Sequence, residues 1–483
     1  MSQETQRQIL KSGERARLIP TIADTSREQR ALSILLSGMT AVRELAETLL
    51  GELGQRIGAR TRITAYTEVT FQNTPEGIRN RPDGLLVVNT GRKTWTALVE
   101  AKIGSNDIDV DQLADYAKLA RENRVDAVLT ISNQFVARPT HTPVTLSKKL
   151  PKGVEVFHWS WMHVVTIAKL LQSENGVSSD DQRYLLDEVI RFFDSNKSGI
   201  SGFDQMNADW KDLVLKIQSG TSPGRSAPEV ENTIGAWHQE QRDICLLLSR
   251  SLGRQVRLKL KKAHRDDPER RIREDCDQLL KEHKLQCSLD IPDAASDLDV
   301  TVDLKTRHVT CSMFLDAPDD KQKTSARVNW VLRQLKTTDD PDVLVRARWP
   351  SKAKDTAEKL STLREDPTAL QTENPKLAPN RFEIMLVRDL AGKFTGRRTF
   401  IEQLEQTVPQ FYREVGQFLR AWVPPPPKPK QSSDVEQDTD TNPTTEEHLI
   451  VGSNYSESVS DAAHENARQV VGRSSDAPSH ADE

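Results

Sequence analysis

The stretch RPDGLLVVNTGRKTWTALVEAKIG, residues 81–104, decides how this chain is read. Two apolar, β-branched runs, DGLLVVN (83–89) and WTALVEAKI (95–103), flank a short polar turn, and both have the length of strands. A two-residue turn at Gly91-Arg92, with glycine at the first central position as a type II′ hairpin prefers, sets the register. Asp83 then falls directly opposite Glu100. Opposed residues of an antiparallel pair share a face, with Cβ atoms ~5 Å apart, and residues two apart along a strand share it too. Asp83, Glu100 and Lys102 are thus expected to converge at the end of a hairpin that is otherwise apolar on both faces.

Two carboxylates so placed repel by about 4 kcal/mol at ~4 Å and an effective dielectric of ~20. Proton sharing, the Lys102 ammonium or a divalent cation would offset this. A hard cation such as Mg²⁺, with Mn²⁺ as a substitute, suits two carboxylates, waters and a substrate phosphate. It polarises a scissile phosphoryl group and acidifies a bound water. Lys102 beside it would orient that water or stabilise charge developing on phosphorus. These parts suit metal-dependent hydrolysis of a phosphodiester. The plainer alternative makes Asp83 a turn cap and Glu100 and Lys102 a solvent-facing pair. The apolar flanks Leu98, Val99, Ile103 and Leu85 to Val88 weigh against it, because a charged cluster there is costly unless paired or metal-bound.

Outward from the hairpin, ALSILLSGMTAVRELAETLLGEL has helical spacing from about Arg30 to Gly54, with an interruption near Gly38. ITAYTEVTF (63–71) reads as a strand, DVDQLADYAKLARENR as a helix, DAVLTISN (126–133) and VEVFHWSW (154–161) as strands, and MHVVTIAKLL as a helix. The order is α-β-β-β-α-β with a further strand and helices, an α/β domain over residues 29–215 after a mobile segment, 1–28.

Pro82-Asp83 followed by Glu100-Ala101-Lys102 resembles the PD-(D/E)XK superfamily of restriction-endonuclease-like nucleases. Gln112 and Tyr116 in QLADY resemble the Q-x-x-x-Y signature of its RecB-like members, and the resemblance covers roughly residues 30–165. It implies a restriction-endonuclease-like core, with Asp83 and Glu100 as metal ligands and the Ala101 carbonyl as a third. It makes Lys102 the catalytic cation, with Gln112 and Tyr116 in support. Glu68 is a candidate for the extra upstream acid of some members, against a plain strand-surface carboxylate; Glu44 or Glu47 on the first helix is another. The activity implied is a Mg²⁺-dependent nuclease acting on DNA, in defence against foreign DNA or in repair. Two alternatives stand beside it: a catalytically silent nuclease-fold module that binds nucleic acid or protein, and a regulatory scaffold acting through the C-terminal region.

SGTSPGRSAPEV (219–230) is rich in Ser, Gly and Pro, and a linker is expected over 216–230. Helical and strand patterns alternate beyond it, an α+β domain over 231–423 for recognition or regulation. Its strand QVRLKLKK would present Arg257, Lys259 and Lys261 to phosphates, or form a solvated edge. Lys393, Arg397 and Arg398 lie near a helix start, a place that favours anions. Asp297, Asp299 and Asp303 alternate with apolar residues, as a solvated strand face does. His158 and His163 show no ligand spacing and read as structural.

The 483 residues carry 67 Lys+Arg and 71 Asp+Glu, a net charge of −4. Residues 424–483 hold twelve acids and four bases, and a disordered tail is expected there, Pro-rich and then acidic. No run reaches the ~18 apolar residues of a membrane span, and no apolar leader with a cleavage site opens the chain. The four cysteines, Cys245, Cys276, Cys287 and Cys311, lack zinc or disulfide spacing and suit a reduced, cytoplasmic protein. A homodimer would suit double-strand cutting, and the C-terminal domain or acidic tail would suit a protein partner.

Overall fold

A computed structural model describes residues 9–424, apart from 22, 24, 76–80, 145–150, 222, 225, 226 and 352. The hairpin and the runs around it become neighbouring strands: β1 Leu10–Arg15, β2 Arg62–Phe71, β3 Gly84–Asn89, β4 Thr94–Ala101, β5 Ala127–Ser132 and β6 Glu155–Ser160. They lie side by side in chain order. Pairing is antiparallel from β1 to β4 and parallel from β4 to β6.

Helices α1 Arg27–Ala41, α2 Arg43–Gly51, α3 Val110–Glu122, α4 Trp161–Ser173 and α5 Asp180–Phe193 cover both faces of this sheet. Leu32, Leu35, Leu45, Trp161 and Phe193 pack with Leu86, Val88 and Val99 on one face. Leu113, Tyr116 and Leu119 of α3 pack with Leu85, Val87, Leu98 and Val128 on the other. A strand buried on both faces needs apolar residues at every position, which is why β3 reads as a continuous run.

The second sheet belongs to the rest of the chain: α6 Trp210–Gln218, α7 Pro228–Leu252, β7 Arg257–Leu258, α8 Lys262–Asp266, α9 Pro268–Glu282, β8 Lys284–Asp290, β9 Leu298–Asp303, β10 His308–Asp316, α10 Thr324–Gln334, β11 Val343–Arg348, β12 Thr356–Lys359, α11 Leu360–Glu365, β13 Arg381–Asp389 and α12 Arg397–Glu414. Its strands run β12-β11-β13-β10-β9-β8-β7, each antiparallel to its neighbours. The described chain is thus mixed α/β, with two sheets and a separate apolar core on each. Both cores fall in one compact unit ending at Pro425. No helix among the described residues is long and apolar enough to cross a membrane.

Several expectations are corrected. Residues 10–15, placed in a mobile lead-in, pair as the edge strand β1; the segment is exposed and polar, so it carries no burial pattern to read. The first helical run breaks at Val42, which is extended at φ −104°, whereas Gly38 stays inside α1. QVRLKLKK yields only a two-residue strand before α8. KDTAEKLSTLRED, which reads as one helix in the sequence, splits into β12 and α11, because the edge of the sheet captures Thr356–Lys359. Met206 and Trp210 pack in the second core, ahead of the expected 216–230 linker; α6 runs into that stretch to Gln218 and α7 begins within it at Pro228. The tail expected beyond Pro424 lies outside the described residues.

Candidate active site

The hairpin pairs Gly84 with Val99 and continues to Asn89 with Thr94. Thr90 N–H donates to the Lys93 carbonyl at 3.0 Å, leaving Gly91 and Arg92 as the turn. Gly91 has φ +84° and Arg92 does not share a positive φ, the requirement of a type II′ turn. One residue beyond the ladder, Asp83 Oδ2 accepts a hydrogen bond from the Ala101 N–H at 2.9 Å. Glu100 is 3% exposed. Lys102 Nζ donates to Glu100 Oε1 at 2.6 Å, while the Lys102 backbone N–H donates to the Ile131 carbonyl at 2.8 Å. Trp161 Nε1–H donates to the Lys102 carbonyl at 2.8 Å, so Lys102 is held from two neighbouring elements.

Burial first, and then the Glu100 carboxylate, push the Asp83 carboxyl up to about 7, against the opposing pull of the Ala101 N–H and Lys102. Burial alone would lower the Lys102 amine, but Glu100, Asp83 and Glu28 outweigh it and hold it above its usual value. Glu100 Oε2 is buried with no hydrogen-bond partner. A buried carboxylate oxygen left without a donor is costly, and the Tyr116 phenol is the group that faces this carboxylate from α3.

The cap of α3 places its two expected residues. Asp109 Oδ1 accepts from the Gln112 N–H at 2.7 Å and sets the helix start. Gln112 Nε2 donates to Tyr116 Oη at 2.9 Å, and that hydroxyl donates to the Arg81 carbonyl at 3.1 Å. Burial first, then the Glu100 charge, hold the Tyr116 phenol well above its usual range, so it stays protonated.

Glu28 is absent from the expected set. It lies in the first turn of α1, and its Oε1 accepts from the Ile103 N–H at 3.1 Å and from Asn106 Nδ2 at 2.8 Å. Its charge bears on both Asp83 and Lys102. Together with Ser26, Arg27, Ile103 and Asn106, Glu28 and Asp83 line an open cleft of about 520 Å³. An acid in a helix's first turn is common in sequences, so nothing local marks this one.

The remaining candidates scatter. Glu68 sits opposite the hairpin's start: its N–H donates to the Asp83 carbonyl at 3.1 Å, its φ is +55°, and its carboxylate pairs with Arg81. Glu44 accepts from the Ser178 N–H and hydroxyl, and Glu47 is exposed on α2. In the second core Arg257 binds Gln255, Lys259 pairs with Asp297, and Lys261 and Lys393 are exposed. Arg397 Nε donates to the Met206 carbonyl at 2.7 Å, and Arg398 pairs with Glu402 on its own helix. Asp299 accepts from Ser288, and Asp303 from the Lys305 and Thr306 N–H groups. Burial pushes the His158 imidazole down to about 4 between Thr130 and the Gln134 carbonyl; His163 sits between Glu52 and Arg242. None of the four cysteines is bridged.

Among the described residues no three His, Cys, Asp or Glu side chains stand together as a ready-made cation cage. The donors that do converge are two carboxylates, one with an orphaned oxygen, beside a lysine that has claimed the other oxygen of Glu100. Compared with family models, with curated proteins and with solved structures, the chain matches none.

Proposed function

We propose that the chain is a metal-dependent nuclease that hydrolyses phosphodiester bonds in DNA at the Asp83–Glu100–Lys102 end of the hairpin. The observation that carries this reading is the crowding of two acids and one amine at the end of the hairpin, with Asp83 lining an open cleft. Burial first, and then the neighbouring Glu100, raise the Asp83 pKa to about 7, and Lys102 Nζ stands 2.6 Å from Glu100 Oε1. The strand order around the hairpin, with α1 before it and α3 and β5 after it, supports the resemblance to restriction-endonuclease-like enzymes. Fold likeness alone carries no activity, so the reading rests on the site.

The donor set suits a hard divalent ion that takes two carboxylates and completes its shell with waters and phosphate oxygens. Asp83 and the orphaned Oε2 of Glu100 would hold it, with the Ala101 carbonyl as a further ligand. Such an ion, when bound, supplies Lewis-acid polarisation of the phosphoryl group and an acidified water. Lys102 places a positive charge beside the reacting phosphate and stabilises charge as it develops. Tyr116, protonated and tied to Gln112 and the Arg81 carbonyl, fixes the chain entering β3 and so the angle at which Asp83 is presented.

A second reading, a silent module that binds nucleic acid, is favoured by one observation: the closed Lys102–Glu100 pair already neutralises one acid without a metal. The two readings separate on incubating wild type, Asp83→Asn, Glu100→Gln and Lys102→Ala with supercoiled, linear and single-stranded DNA and with RNA, in Mg²⁺ or EDTA. Cleavage that needs Mg²⁺ and falls at least a hundredfold in all three folded variants supports the nuclease. Binding without cleavage, unchanged by the substitutions, supports the module.

A further inference from the structure

Residues 199–203 run between the two cores as a strap with a close contact at each end. Gly199 has φ +76°, and a Cβ there would lie 2.3 Å from Ile103 Cγ2. Its carbonyl accepts from the Gly104 N–H at 3.1 Å and from Asn133 Nδ2 at 3.0 Å. Asn133 Nδ2 also donates to the Gly104 carbonyl at 3.1 Å, so strap and loop share one side chain. Three residues on, a Cβ at Gly202 would lie 2.5 Å from Asp243 Oδ2. That same oxygen accepts from the Phe203 N–H at 2.6 Å. Both contacts exist only because the residue at each point lacks a side chain.

Asp243 belongs to α7 in the second core and is 1% exposed. Its Oδ1 is buried without a partner, as are both carboxyl oxygens of Glu240 one turn earlier. Acids so placed are a poor solution to packing, since apolar residues of similar size would fill the space without desolvating a charge. Arg250 and Arg242 face Asp243 with their charge, and its hydrogen bond goes to the strap. At the other end, Ile103 and Gly104 line the cleft that holds Asp83 and Glu28.

We propose that Asp243 is a positioning residue for the Asp83 cleft: it anchors the strap 199–203, and the strap in turn holds the 103–106 loop at the cleft's rim. The second core thereby sets the shape of a site built by the first. This coupling is a matter of loop geometry and stands whether or not the cleft cleaves phosphodiesters.

Amide hydrogen exchange on the full chain tests it without reference to cleavage. Asp243→Ala removes the acceptor of the Phe203 N–H; exchange is expected to rise about tenfold over 199–206 and over 103–106, the scale of one lost buried hydrogen bond. Amides of β1–β2 and of β9–β10 should keep their rates. Asp243→Asn retains an oxygen facing Phe203 and should restore most of the protection. Gly202→Ala displaces the strap from its own side with Asp243 intact, and should give the same pattern even if Asp243→Ala fails to fold. Unchanged exchange at 103–106 in the variants that fold, or a uniform rise across both sheets, overturns the proposal.

Discussion

Asp83 and Ala101 are joined across the hairpin: the Asp83 Oδ2 accepts the Ala101 N–H at 2.9 Å, one residue beyond the last ladder pair. A backbone donor, unlike a side chain, cannot swing away, so this bond pins the carboxyl beside Glu100. Burial and that neighbouring charge then raise its pKa to about 7. Much of the site's expected behaviour follows from this one tether.

Asp83→Asn keeps an acceptor for Ala101 and removes the charge. An acid whose folded pKa lies above its unfolded value near 4 contributes stability that is full below the unfolded pKa and is lost as pH rises through 7. Without added metal, the variant should melt a few degrees above wild type at pH 8 and equal it near pH 4, since ~1 kcal/mol moves Tm by ~2–4 °C in a domain of this size. Equal melting temperatures at pH 8 would show that Asp83 carries no such strain.

Mg²⁺ should stabilise the chain where Asp83 is ionised and compete with a proton where it is not. At ~100 times its dissociation constant a ligand adds about 2.7 kcal/mol. Thermal melts with and without Mg²⁺ are expected to show a larger upward shift at pH 8 than at pH 6, and none in Glu100→Gln. A shift that persists undiminished in Glu100→Gln would place the ion elsewhere.

Lys102→Met leaves Glu100, 3% exposed, without its cation. Removing one partner of a buried pair costs ~3–5 kcal/mol, discounted here to about 2 kcal/mol because the Lys102 side chain keeps 19% of its surface in solvent. Glu100→Gln alone should cost less, and the double variant should recover most of the loss. Urea unfolding of the four proteins gives the coupling energy; additive costs would mean that the pair is incidental.

Glu240 is held well above the ordinary carboxylate range by burial first, then by Asp243 and Glu405. Glu405, itself pushed up to about 7, faces the same group from α12. Protonated acids of this kind favour the fold at low pH and oppose it as pH rises through their folded values. Wild-type Tm is expected to fall between pH 6 and pH 9, and Glu240→Gln with Glu405→Gln should make that decline shallower. Parallel pH profiles would contradict the burial argument.

The hairpin was legible because its determinants are local. Two short apolar, β-branched runs set the strands, Gly91 set the turn, and these two facts carried Asp83 to its place across from Glu100. Gln112 and Tyr116 were singled out by the resemblance, and helical spacing, four residues apart, put them on one side of α3. Glu28 was not legible: a helix start elsewhere in the chain meets Ile103 only after α1 has packed on the sheet. The partners of the basic residues beyond the first sheet were not legible for a related reason. Lys259 is occupied by Asp297 and Arg397 by the carbonyl of Met206, and a positive charge in a sequence does not show its partner.

Strand and helix periods, the hairpin register and the grouping of two acids with one amine were determined by the sequence itself, because each depends on residues near one another in the chain. The tertiary structure alone decided that Glu28 completes the rim, that β1 closes the sheet edge, and that Asp243 reaches the first core through the strap. Those contacts depend on how distant segments pack, and the energy that selects them is spread over two cores rather than written in any one stretch.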